Sequence, residues 1–187
     1  MKCPTCGVDA GTGVVCPSCG GPVAGALHAE DAAASYSEQA RVLAERGDRH
    51  AGLEALDCAI DLYRCLTRGG ARRNLHPALA AACHAKADLL SALGDPRTAA
   101  VLYAQAAEML EPLVSREGRR DLEGRLALAW GELAWATWEL YQDPGVLVLL
   151  DRAIAVWRRH VERDGRTEPA DALEIALARR ARIAEFV

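Results

Sequence analysis

From Glu30 onward, apolar residues recur at three- and four-residue spacing, and the runs are broken at intervals by glycine, aspartate and proline. Spacing of this kind belongs to helices with one buried stripe; a half-buried strand would alternate instead. The pattern predicts seven helices. The first ends at Arg46, ahead of Gly47-Asp48, and the second runs from about Arg49 to Leu66. Thr67 to Asn74, with two glycines and three arginines, reads as a solvated loop. His76-Pro77 opens a third helix that ends at Leu93. Asp95 is then an N-cap, followed by Pro96 at the first helical position, where a missing N–H costs nothing. The fourth helix continues to about Val114, tolerating or bending at Pro112. After a charged loop from Ser115 to Asp121, a fifth reaches Tyr141. Asp143-Pro144 repeats the cap ahead of a sixth that ends near Arg163, and a seventh follows Glu168-Pro169.

The helices are copies of one another. Ala59, Ala106 and Ala153 stand at equal steps of 47 residues, as do Ala40, Ala87, Ala134 and Ala181. Tyr36, Cys83, Trp130 and Leu177 precede that second series by four residues each time. Self-similarity at a fixed step marks a stack of helical units, none of which can bury its apolar face alone. The seventh helix, carrying Leu173, Leu177, Ala181 and Ala184, is then half a repeat. Its Arg179, Arg180 and Arg182 are expected to give the exposed end of the stack a polar side.

Composition narrows the class. The chain has 187 residues, 51% of them apolar and 26% charged, which fits a folded all-α protein with room for a substantial core. A net charge of −4 argues against a phosphate-backbone partner, because non-specific nucleic-acid binding rests on clustered cations. No apolar run approaches the ~18 residues of a membrane span. The first residues are cysteine-rich and lack the charged start and apolar core of a signal peptide, so a cytoplasmic address is expected.

Four of the seven cysteines carry the clearest chemistry. Cys3-Pro4-Thr5-Cys6-Gly7 and Cys16-Pro17-Ser18-Cys19-Gly20 are two copies of one knuckle, with nine residues between Cys6 and Cys16. Paired C-x-x-C motifs at this spacing supply four thiolates to one tetrahedral ion and leave no open position for catalysis. Proline stiffens each knuckle, and the glycine after the second thiol permits positive φ, so that amide hydrogens turn toward sulfur. Residues 1–23 resemble the short bacterial zinc ribbon, which implies one structural Zn2+ on Cys3, Cys6, Cys16 and Cys19. Rubredoxin-like iron uses the same knuckles on a longer loop. Lys2 and Asp9 are the ribbon's only charges. Residues 24–28 read as a linker, and 29–187 as the helical domain.

The helical part resembles the tetratricopeptide repeat (TPR). Gly94-Asp95, Ala99, Tyr103, Ala106 and Met109 carry the resemblance best. Gly47-Asp48, Leu56, Ala59 and Leu62 follow, then Leu150, Ala153 and Val156 without the glycine, whose place Tyr141 takes. Trp130, Leu133 and Ala134 match the family's opening motif. The step of 47 exceeds the family's usual length, and HEAT-like repeats are the alternative on period alone. The resemblance implies an α-solenoid of about three and a half hairpins, with a groove lined by the first helix of each pair. Stepping by 47 along that face gives Arg41, Asp88, Trp135 and Arg182, with Trp138 one turn beyond Trp135 and His84 one turn before Asp88. Trp135 and Trp138 fit either this groove or a core filling the space left by alanines. Aromatics beside arginine are the usual composition of binding hot spots. The mixed charges differ from the carboxylate clamp of chaperone-binding relatives, which implies an apolar or mixed peptide or a helix as partner.

No phosphate loop, nucleophile elbow or paired-carboxylate motif is present, so an enzyme is not expected. Cys58, Cys65 and Cys83 read as small packing residues. The functional expectation is a protein or peptide adaptor. A zinc-ribbon regulator associated with nucleic acid or a transcription complex is the alternative.

Overall fold

A computed structural model of the chain describes residues 26–70, 72–164 and 168–186. Cys3, Cys6, Cys16 and Cys19, and with them the expected ribbon and its metal, lie outside the described residues. Those residues contain seven α-helices and no strand: α1 Ala26–Glu45, α2 Arg49–Thr67, α3 His76–Ala92, α4 Pro96–Ser115, α5 Glu123–Tyr141, α6 Leu147–Asp164 and α7 Glu168–Ala184. The order and number agree with the apolar period. α1 starts within the stretch read as linker, because Ala26-Leu27-His28-Ala29 contains good helix formers and no breaker after Gly25. α4 runs through Pro112 without interruption.

The chain divides into two compact units, Met1–Leu89 and Leu90–Val187. In the described part of the first, α1 and α2 pack as a hairpin. Ala29, Ala33 and Ala40 lie on one side of that hairpin, and Leu56, Ala59, Ile60 and Tyr63 on the other, all buried. Small residues on α1 let the larger α2 side chains fill the interface at close approach. In the second unit, α4, α5, α6 and α7 pack in sequence. Tyr103, Leu110, Leu126, Trp130, Leu150, Trp157 and Ile183 are its larger buried residues. All six alanines of the two series from Ala40 to Ala134 and from Ala59 to Ala153 are buried, so the 47-residue step is a step of packing positions as well as of letters.

The turns repeat as closely as the cores. Gly47 and Gly94 both take φ +84°. The next amide in each case, of Asp48 and Asp95, donates to the carbonyl five residues back, Leu43 and Leu90, at 2.9 Å. This closes the helix end with a left-handed residue that only glycine adopts without strain. The Asp48 carboxylate then accepts from the Ala51 amide at 3.2 Å, and that of Asp95 from the Thr98 amide at 3.1 Å. One residue pair therefore stops a helix and starts the next.

Hydrogen bonding from the Thr98 hydroxyl, and then from its backbone amide, holds the Asp95 carboxyl below its ordinary value. A carboxylate with a depressed folded-state pKa stabilises the fold above its unfolded value of about 4, and that contribution is lost as pH falls through the folded value. Asp95→Asn is expected to flatten the acid side of the melting-temperature profile, by lowering its neutral part slightly while the most acid part stays nearly unchanged, as read by circular dichroism. An unaltered acid slope would contradict the cap's share in it.

The third copy departs from the first two. With Tyr141 in place of glycine, the helix continues two residues further and the left-handed position falls one residue later, on Gln142, at φ +51°. Its amide donates to the Trp138 carbonyl at 2.8 Å. Asp143 still caps, accepting from the Gly145 amide at 2.8 Å, but what it caps is a single 3-10 turn over Pro144–Val146 and not the sixth helix itself, as the sequence suggested. That tighter turn absorbs the slip, and Val146 is buried at the position that Ala99 holds 47 residues earlier.

α7 adds pairings that its sequence alone does not show. Arg179 forms a two-pronged bond to Glu132, at 2.7 and 3.1 Å, and Arg180 reaches Asp151 at 2.5 Å. Arg179 and Arg180 thus reach back to α5 and α6, while Arg180 and Arg182 remain exposed on the polar side of α7. Long guanidinium side chains find carboxylates on the neighbouring helices, whereas the outward positions carry Glu174, Leu177, Ala178 and Ala181, all exposed.

Candidate functional site

The six candidate groove residues fall in the two units, three in each. Arg41, His84 and Asp88 belong to the first. There Arg41 and Asp88 line a depression of about 230 Å³ between α1, α2 and α3, whose floor is Ala40, Leu56 and Leu89. Arg41 is not a free cation for a ligand. Its Nε donates to Glu38 at 3.0 Å, and Glu45 holds a second nitrogen. Those hydrogen bonds, Glu38 first, raise its pKa above the ordinary value, and the Arg41 hydrogen bond in turn lowers that of Glu38. His84 Nε2 lies 3.6 Å from Asp88 Oδ1, one helical turn on, which is too long for a direct hydrogen bond.

The second unit holds the larger depression, about 510 Å³, lined by Ser91, Gly94, Pro96, Trp135, Trp138, Glu139, Gln142 and Arg182. Three of the candidate residues, Trp135, Trp138 and Arg182, therefore share one wall. They are not equivalent. The half-buried ring of Trp135 has the guanidinium of Arg179 at 5.1 Å from its centroid and that of Arg182 at 5.5 Å, both within cation–π range. Because Glu132 anchors Arg179, the ring has a fixed support, and Trp135 lines the depression beside it. Trp138 is only 7% exposed and stacks at a tilt on Phe186, with centroids 6.0 Å apart. It forms the back of the wall, and its expected presentation to a partner beside Trp135 does not hold. The physical reason is the far end of α7. Phe186, two residues past the helix, covers a ring that register arithmetic leaves open.

Glu139 and Gln142 line this depression, Arg179 and Phe186 contact its two tryptophans, and none of the four is among the groove candidates that the sequence offers. A signal for Arg179 existed, since Glu132 and Arg179 stand 47 residues apart at one repeat position with opposite charge. Nothing in the repeat pattern marks Gln142, which enters the wall through the slipped turn.

Among the described residues no group of three or more His, Cys, Asp or Glu side chains is placed to hold a metal. Cys83 is buried, and burial pushes the thiols of Cys83 and Cys65 up, away from the reactive thiolate form. Cys58 is exposed and not packed as expected. His160 is buried with Nε2 3.4 Å from Glu123, a contact between α6 and the start of α5. No helix among the described residues is long and apolar enough to cross a membrane.

No family model matches the chain. No curated protein matches it either. Among solved structures, a de novo designed helical repeat protein aligns over 86% of this chain and 81% of its own, at 19% identity and a TM-score of 0.39.

Proposed function

We propose that the protein is a non-enzymatic adaptor: a TPR-like solenoid of about three and a half hairpins that binds a peptide or helix of another protein, carrying an N-terminal ribbon held by one structural zinc. The observation that carries this reading is Trp135, half-buried on two arginine supports and open to a depression large enough for several side chains of a peptide. The mixture of one carboxylate, Glu139, one amide, Gln142, and one guanidinium, Arg182, around it favours a peptide of mixed polarity over an acidic tail. The test is affinity capture from the source cell, followed by titration of the captured partner against the wild type and Trp135→Ala. A loss of about tenfold or more in affinity supports the reading, and equal affinity rejects the site. A gel shift at low salt with mixed DNA and RNA that the wild type produces and Cys3→Ser does not would favour the regulator instead.

The donor set for the metal is chemically suited to it. Four thiolates satisfy a tetrahedral d10 ion, and a segment of some twenty residues has too little core to fold without one. Elemental analysis is expected to find one zinc per chain in the wild type and in Cys58→Ser, and none in Cys3→Ser. Because thiolate ligands must be deprotonated, zinc is expected to leave as pH falls. Chelation should leave the helical circular dichroism in place, since the two units have cores of their own. Zinc loss in Cys58→Ser alone would overturn the ligand assignment.

A further inference from the structure

Within each unit the first helix of a hairpin has a strip of small residues that the second helix covers. On α1 the strip is Ala29, Ala33, Ser37 and Ala40, and the Tyr63 phenol of α2 hydrogen-bonds Ser37. On α5 the corresponding positions, 94 residues on, hold Glu123, Ala127, Gly131 and Ala134, and Trp157 of α6 lies over Gly131, so closely that an added Cβ would sit 3.0 Å from the ring. An aromatic of the second helix over a small residue of the first is thus built twice at one repeat position. The next step of 47 puts the strip on α7 as Ala170, Glu174, Ala178 and Ala181, flanked by Leu177. Here all five are exposed, with Leu177 at 36%, although their α5 counterparts Ala127, Trp130, Gly131 and Ala134 are buried.

We infer that this open strip of α7 docks a cationic amphipathic helix from a partner protein, lying on α7 as α6 lies on α5, with an aromatic side chain over Ala178. The charge of the occupant follows from the strip. Glu174 replaces the alanines of α1 and α5, Asp171 and Glu185 stand exposed beside it, and the helix's cations are engaged elsewhere, Arg179 on Glu132, Arg180 on Asp151 and Arg182 against Trp135. α6 shows where the complementary charge belongs. Its Arg159, two residues beyond Trp157, lies 3.7 Å from Glu123, and the α7 position matching Glu123 is Ala170, beside Asp171 and one turn from Glu174. A helix seated in that manner therefore brings a cation to the acidic end of the strip and an aromatic to its small centre. The surface is separate from the Trp135 depression and does not depend on what that depression binds.

The probe is a labelled synthetic peptide of the α6 sequence, Leu147–Asp164, which carries both features, titrated by fluorescence anisotropy into the intact protein. Saturable binding is expected, weakened about tenfold or more by Ala178→Trp, which fills the socket at an exposed position, and by Trp157→Ala in the peptide. Glu174→Lys should weaken it as well, and a peptide with Arg158→Glu and Arg159→Glu should regain affinity for that variant. Trp135→Ala should leave the affinity unchanged. Indifference to Ala178→Trp, as expected if the peptide merely displaces α6 from α5, overturns the inference. So does a concentration-dependent dimer of the wild type that Ala178→Trp abolishes, because the occupant is then a second copy of the chain.

Discussion

Trp157→Ala is expected to cost about 3–5 kcal/mol, the usual range for removing a buried tryptophan, and to leave the second unit close to unfolding, given total stabilities of about 5–15 kcal/mol. The ring is 4% exposed and fills a slot whose opposite wall is Gly131. Glycine has no side chain to turn into the void, so the cavity cannot close by local rearrangement, which places the loss toward the upper end. The same geometry predicts coupling. In the wild type, Gly131→Ala puts a methyl 3.0 Å from a ring carbon, tighter than nearly all real contacts, so the closely packed ring must shift and the change should be destabilising by overpacking. In the Trp157→Ala background that methyl enters empty space and should be neutral or helpful. Urea midpoints for the two single variants and the double variant complete the cycle, and additive losses would show that the two side chains do not share the slot.

The two tryptophans of the larger depression should separate on the same kind of measurement. Trp138→Ala removes a nearly closed ring under Phe186 and is expected to cost about 3 kcal/mol or more, with a clear fall in melting temperature. Trp135→Ala gives up two cation–π contacts on a partly buried ring, worth about 0.5–1 kcal/mol each. Arg179 keeps its carboxylate pair on Glu132 in either variant. Trp135→Ala should therefore nearly preserve the melting curve while weakening a partner, and Trp138→Ala should lose binding only as it loses fold. A stable Trp138→Ala, or a collapsed Trp135→Ala, would reverse the assignment of face and core.

Helix number and order were legible because an alanine at 0–2% exposure recurs wherever the 47-residue step puts one inside the stack. The step failed at particular residues for local reasons. It placed Asp143 as the cap of α6, but with Tyr141 in the glycine's place the turn moved to Gln142 and a 3-10 turn made up the difference. It left Trp138 open, because the cover, Phe186, comes from beyond the last helix and from no repeat position. It did not show that Arg179 and Arg180 of α7 pair with Glu132 and Asp151, because pattern alone cannot see that these carboxylates lie within reach. Period reports which face of a helix is inside. Which long side chain crosses to which neighbour depends on distances that period does not contain.

Lys86 binds Asp57 in the first unit and Arg180 binds Asp151 in the second, at the same separation of 29 residues, and the second pair lies 94 residues after the first. Both pairs are partly exposed, and such bridges contribute at most about 1 kcal/mol. What they supply is a check on assembly. A neighbouring helix seated one turn too high or too low would strand a carboxylate or set like charges together, so the bridge penalises the misplaced alternatives more than it stabilises the native one. The cost of using the same lock twice is that either cation fits either carboxylate. During refolding at high protein concentration, the chain is therefore open to exchanging a helix with the matching place in another copy, a failure typical of proteins built from near-identical parts.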